Sequence, residues 1–259
     1  PCHYISVTSA MASAKVAVVT GGNKGIGLAI VRALCKQFKG DVYLTARDPK
    51  LGEEAVRALK EQEGLSPHFH QLDINDLQSI RALGGFLKEK YGGIDVLINN
   101  AGIAFKEQGW PDTPYGVSKI GVTVLSRIQA RELNEKSLCL LGRCSAQQLG
   151  GQSLNLYCED AKKGAHQKEG WPNTAYGVSK IGVTVLSRIQ ARELNEKRKD
   201  DGILLNACCP GWVRTDMAGP NATKSPDEGA ETPVYLALLP NNAHSPHGEL
   251  VSEKKVVPW

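Results

Sequence analysis

Two Tyr-x-x-x-Lys pairs, Tyr115/Lys119 and Tyr176/Lys180, stand in the 259-residue sequence. Spacing of four makes each pair neighbours on one face of a helix. A phenol, with an ordinary pKa of ~10, is a weak acid or base near neutrality. A nearby ammonium favours the phenolate and lowers that value, which suits the phenol to protonating a carbonyl oxygen. Much earlier in the chain, Thr20-Gly21-Gly22-Asn23-Lys24-Gly25-Ile26-Gly27 follows an apolar run and opens a helical pattern. Gly21 suits a tight turn, Gly25 a close approach of backbone to a pyrophosphate, and Gly27 the packing of helix on sheet. The exposed N–H groups and positive dipole end of the helix then favour phosphate.

The position about 20 residues beyond a dinucleotide loop usually carries a carboxylate for the ribose 2′-hydroxyl. Here the second strand pattern ends in Ala46-Arg47, followed by Asp48. A guanidinium pairs with a 2′-phosphate, and Lys24 offers a second positive charge. NADPH is therefore expected over NADH, with Asp48 the one nearby residue against it.

The elements that must position these groups alternate as βαβ units. Strands are predicted at Lys15–Thr20, Asp41–Ala46, Phe69–Leu72 and Ile94–Asn99, and helices at Ile26–Phe38, Leu51–Gln62 and Asp76–Lys90. That order predicts an α/β fold, a single Rossmann-type doubly wound parallel sheet with helices on both faces. Later elements are a strand at Ile203–Cys208, a helix at Asp227–Leu238 and a short last strand at Glu249–Val251.

Residues 109–136 and 170–197 are near-identical, differing only at Asp112/Asn173 and Pro114/Ala175. One such pair is not a solenoid; a recent duplication, an alternative transcript or a flawed gene model explains it better. Each copy reads as an amphipathic helix, with Val178, Ile181, Val185, Leu186, Ile189 and Leu194 at helical spacing in the second. Tyr115 follows Asn100 too soon for a crossover helix and a further strand to intervene, whereas Tyr176 leaves room for both. The first copy is taken as filler, its helix a candidate for the crossover after the fourth strand.

Hydrophobic residues make up 41% of the chain and charged residues 22%, ordinary for a globular protein. The formal charge of +4 is dispersed, without the basic stripe of a nucleic-acid binder. No apolar run is long enough for a membrane span. Seven cysteines, an odd number lacking zinc-ligand spacing, suggest reduced thiols in the cytoplasm and no metal site. Residues 1–10 lack the features of a secretory signal and read as a disordered leader. Residues 11–259 read as one dinucleotide-binding domain with an irregular segment at 107–168.

TGGNKGIG at 20–27, LDIND at 72–76, NNAG at 99–102, YGVSK at 176–180 and PGWVRT at 210–215 occur in one order that resembles the short-chain dehydrogenase/reductase family. NACCPGWVRTDMAGP at 206–220 and GAETPVYLALLP at 229–240 are similar to its carbonyl reductase branch. The resemblance implies NADPH-dependent reduction of aldehydes, ketones or quinones, with Tyr176 as general acid and Lys180 also holding the ribose. It implies cofactor contacts from Gly21, Asn23, Lys24, Gly25, Ile26, Gly27, Arg47, Asp73 at the adenine, Ile74, and Asn100 and Gly102 at the ribose. Pro210, Gly211, Val213 and Thr215 are implied at the nicotinamide end. Phe105, Trp212 and the segment after Thr215 border the substrate on this reading, and Phe105 and Trp212 are equally readable as core aromatics. A small-molecule partner and a monomer are what the branch implies.

The chain departs from the family where an Asn-Val-Ser-Ser sequence normally ends the fifth strand and supplies a serine to the substrate carbonyl. A relay asparagine on the preceding helix is also not identifiable. Leu138–Cys144 is a candidate replacement strand that would set Ser145 near the expected place, although an ordinary loop serine fits better because Gly142 and Arg143 suit a buried strand poorly. Loss of that one donor typically costs ~100- to 1000-fold in rate. The alternative reading is a catalytically impaired variant that still binds NADPH.

Overall fold

In the computed structural model, Val16–Val19 form β1, fully buried on both faces as the unbroken apolar run requires. The structure describes residues 14–102, 122–126, 160, 163–165, 167–170 and 175–258, with the backbone path alone for 122–126 and 175–183. The expected leader at 1–10 lies outside them. After β1 come α1 (Gly25–Gln37), β2 (Asp41–Ala46), α2 (Pro49–Glu63), β3 (His68–Gln71), α3 (Leu77–Tyr91) and β4 (Val96–Asn99). Then follow β5 (Val122–Ser126), α4 (Ala175–Lys197), β6 (Leu204–Cys209), α5 (Pro226–Ala237), β7 (Leu250–Ser252) and β8 (Lys255–Val256).

These strands make one sheet of order β3-β2-β1-β4-β5-β6-β7-β8. Strand β1 pairs in parallel with both β2 and β4, so the chain reverses its direction of winding at β1. Ligands of such sheets bind in the crevice beyond the carboxyl ends of the strands at this switch point. Alternation along β1 feeds two cores. Ala17 and Val19 join α1, α2 and α5 through Ile30, Leu34, Leu59 and Val234, while Val16 and Val18 join α3 and α4 through Leu83, Leu87 and Ala191. Helices therefore cover both faces, as expected.

The duplicated segment corrects the sequence reading in two respects. Its first copy does not form a helix at Val122–Ser126, where the backbone is β5. Nor is the sheet parallel throughout, for β5 runs antiparallel to both β4 and β6, and the unforeseen β8 runs antiparallel to β7. The same pentapeptide, Val-Thr-Val-Leu-Ser, lies within helix α4 at residues 183–187. It carries β-branched residues that suit a pleated strand. Its neighbours decide the outcome: β4 and β6 each present ladder groups that a strand between them satisfies. The sheet is thus continuous across the altered middle. Leu138–Cys144, the candidate replacement strand, and Ser145 lie outside the described residues.

Candidate functional site

Gly21 and Gly25 have φ of 63° and 57°, a left-handed backbone that favours glycine. The turn they build is tied down on two sides. Gly22 N–H donates to Thr45 O of β2 at 2.9 Å, and the Asn100 side-chain amide donates to Thr20 O and Gly21 O at 3.0 and 3.1 Å. Thr20 Oγ1 accepts from the backbone N–H groups of Asn100 and Ala101, both at 2.9 Å. Gly27 sits under this clamp, where an added Cβ would come within 2.2 Å of Gly21 O and 2.5 Å of Asn100 Nδ2. Only a bare backbone lets α1 start so close to the loop. Lys24, the N-cap residue of α1, makes no side-chain cap bond, so the helix start is not closed by its own N-cap side chain. An open helix start, left-handed glycines and a clamped turn fit a dinucleotide's pyrophosphate.

Arg47 is exposed just past β2, beside the Thr45 carbonyl that anchors the loop. The Asp48 carboxylate caps α2 instead, accepting from Lys50 N at 2.9 Å and Leu51 N at 3.3 Å. The residue that argued against a 2′-phosphate thus has a structural task. Asp73 and Ile74 are half-buried at the carboxyl end of β3. Asp73 Oδ1 accepts from Asn75 N at 2.9 Å and its own N–H donates to Ser79 Oγ at 2.9 Å, which fixes the turn into α3. Ile74 packs on the α3 core. Asn23 is half-buried in the loop, Ile26 is core, and Gly102 is exposed beyond β4.

At the end of β6, Pro210 is buried and Gly211 has φ of 81°, with the Lys224 side chain where a Cβ would stand. Val213 is 1% exposed, its side chain packed in the core with residues of α1 and α5. Trp212 is 38% exposed, which removes it from the core alternative. Thr215 is half-buried, its hydroxyl donating to Val213 O at 3.4 Å. The segment is braced by a bridge between Val213 and Lys224 and by the Arg214 guanidinium, which donates to Ala222 O and Thr223 O at 3.1 and 2.9 Å. Ser225 and Glu228 then form a reciprocal capping box that starts α5. The Ser225 backbone N–H, donated to Glu228, holds that carboxyl below its ordinary pKa.

Tyr176 and Lys180 lie on the first two turns of α4; their side chains are outside what is described. Helix α4 packs along β6 through Ala191, Leu194, Ile203 and Leu205. His247 locks that packing, its two ring nitrogens meeting Leu205 N at 3.2 Å and Ala191 O at 3.0 Å. Since Lys197 ends α4 shortly before Leu204 begins β6, the helix runs opposite to β6 and starts toward its carboxyl end. That is the sheet edge from which the glycine loop and Pro210–Thr215 also leave. Tyr115, Lys119 and Phe105 lie outside the described residues.

The contacts of two residues at this site were not anticipated. Thr20 ends an apolar run and is 1% exposed, so a buried hydroxyl needing partners was its signal. Asp216 opens the segment after Thr215, and its ion pair with Lys24 Nζ, at 2.7 Å, carried no signal, the partners being 192 residues apart.

The family model described as short chain dehydrogenase matches residues 15–113. Carbonyl reductase (NADPH) 1 of Homo sapiens is 58% identical over 272 aligned positions, covering 94% of this chain and 98% of that protein. The Rattus norvegicus protein of the same name is 57% identical with the same coverage. Among solved structures, salutaridine reductase from Papaver somniferum aligns with a TM-score of 0.66 at 25% identity, covering 91% of this chain and 99% of that one. An NADPH-bound carbonyl reductase from chicken fatty liver gives a TM-score of 0.61 at 24% identity, covering 96% of each chain, and supports the fold.

Proposed function

The chain belongs to the short-chain dehydrogenase/reductase family, and from that premise we propose that it reduces aldehydes, ketones or quinones to alcohols with NADPH. The observation that carries this is the clamped glycine loop, whose geometry suits a pyrophosphate and whose flank offers Arg47 and Lys24 to a 2′-phosphate. The reading of a catalytically impaired variant draws no support from relatives at 53–58% identity, or from a sheet that stays continuous through its altered middle.

NADPH bound at this edge supplies the hydride. Gly21, Asn23, Gly25, Ile26 and Gly27 hold the pyrophosphate through the loop and the start of α1. Asp73 and Ile74 border the adenine, and Asn100 and Gly102 the ribose. Pro210, Gly211, Thr215 and the Val213 backbone receive the nicotinamide end. Tyr176 donates its phenolic proton to the carbonyl oxygen as the hydride arrives. Lys180, one turn on, lowers the phenol's pKa by its charge and binds the ribose. Trp212, exposed beside this edge, borders the substrate together with Phe105. We place the enzyme in the cytoplasm as a monomer; among the described residues no helix is long and apolar enough to cross a membrane.

The test is carbonyl-dependent NADPH oxidation by the full chain. Tyr176→Phe should lower turnover by about 100- to 10,000-fold while NADPH binding persists. Tyr115→Phe should leave turnover intact, and the reverse ranking would assign the chemistry to the other copy.

A further inference from the structure

The Lys24 ammonium donates to Asp216 Oδ2 at 2.7 Å, with the two side chains 71% and 79% exposed. The partners leave the same edge of the sheet, one from the glycine loop after β1 and the other from the segment after β6. Asp216 is held in a tight turn in which the Ala218 and Gly219 N–H groups both donate to Thr215 O, at 3.1 and 2.8 Å. That turn stands on the frame made by the Val213–Lys224 bridge and the Arg214 guanidinium. The carboxylate is presented to Lys24 by a braced scaffold and not by a loose loop.

We propose that Asp216 is a specificity-determining residue for the nucleotide, acting as a counter-ion that competes with the 2′-phosphate for Lys24. The inference rests on the reading in which Lys24 meets that phosphate. A nucleotide without a 2′-phosphate leaves the ion pair intact. One with it must draw Lys24 away from Asp216 or share it, and in sharing brings a dianion toward a carboxylate. Asp216 therefore penalises NADPH and not NADH. Because the pair is solvent-exposed, the penalty is small, roughly 2- to 5-fold in affinity.

The experiment is fluorescence titration of the full chain with NADPH and with NADH, at about 20 mM and about 500 mM salt. Asp216→Asn should tighten NADPH roughly 2- to 5-fold at low salt, leave NADH unchanged, and lose most of the difference at high salt. Asp216→Glu, which keeps the charge, should retain the parent selectivity. Unchanged or weaker NADPH binding in Asp216→Asn overturns the proposal, as does equal tightening of both nucleotides. Lys24→Met separates this from the underlying reading. If it weakens NADPH alone, Lys24 meets the phosphate, and adding Asp216→Asn to it should produce no further tightening. If Lys24→Met changes nothing, the phosphate reading itself falls, and the competition with it.

Discussion

Val124 and Val185 hold the same place in identical pentapeptides, yet Val124 is registered against Ile98 and Asn206 in the middle of the sheet, while Val185 is 36% exposed on α4. One local sequence serves as strand in the first setting and as helix in the second. Identical substitutions at the two valines should therefore have opposite signs. Val124→Ala loses β-propensity in a central strand and should cost about 1 kcal/mol or more. Val185→Ala relieves a β-branched residue on a helix and should be neutral or stabilising by about 0.5 kcal/mol. Urea denaturation of both variants checks this, and equal losses would contradict the two-state use of the segment.

Glycines give a similarly paired expectation. Helix propensity favours alanine over glycine by ~1 kcal/mol. At Gly85, on α3, a new Cβ meets nothing within 4 Å, so Gly85→Ala should raise the denaturation midpoint. At Gly27 the Cβ would collide with Gly21 O and the Asn100 amide. There the overpacking cost, about 1–3 kcal/mol, should exceed the propensity gain and nucleotide binding should fall with stability.

Arg47 and Asp48 should separate binding from folding. Arg47→Ala is expected to weaken NADPH by about 10-fold or more, the loss of a charge-assisted pair, and to spare NADH. Asp48→Ala should leave the preference for NADPH in place and cost about 1 kcal/mol of stability by uncapping α2. Titrations with both nucleotides, alongside thermal melts, distinguish the two.

The thiols should respond in order of burial. Cys209 is exposed, Cys35 half-buried and Cys208 buried. Burial pushes the Cys35 thiol up to about 11, and burial, assisted by Cys209, raises Cys208 further. Among these three, alkylation near neutrality, mapped by peptide mass, should therefore mark Cys209 first and Cys208 last. The stability consequence has a definite sign. Between the ordinary thiol pKa and the raised folded values the unfolded chain loses protons that the folded chain keeps. Stability should thus fall as pH rises from about 9 upward. Cys35→Ser should reduce that slope.

Much of the nucleotide half was legible because its chemistry is local. Gly21, Gly25 and Gly27 sit at spacings that only a turn into a helix explains, and the strands around them are short apolar runs. Arg47 was readable for the same reason. Asp48 was misleading, since a carboxylate capping a helix and one awaiting a ribose look alike until the bonds from Lys50 and Leu51 are seen. The first copy could not be read locally at all. Its helical periodicity is real, and the structure of its twin expresses it, but the unsatisfied edges of β4 and β6 outweigh it. The Asp216–Lys24 pair was invisible because its partners come from distant parts of the chain.

Strand β5 also sorts what flanks it. Thr123 is level with Asn99 and Ala207, whereas Ser126 is level with Val96 and Leu204. A peptide spliced in directly ahead of Val122 would emerge at the rim where the dinucleotide crevice opens. One spliced in directly after Ser126 would hang from the floor, clear of the crevice. A protease site or reporter introduced at these two points should distinguish rim from floor by whether bound nucleotide shields it.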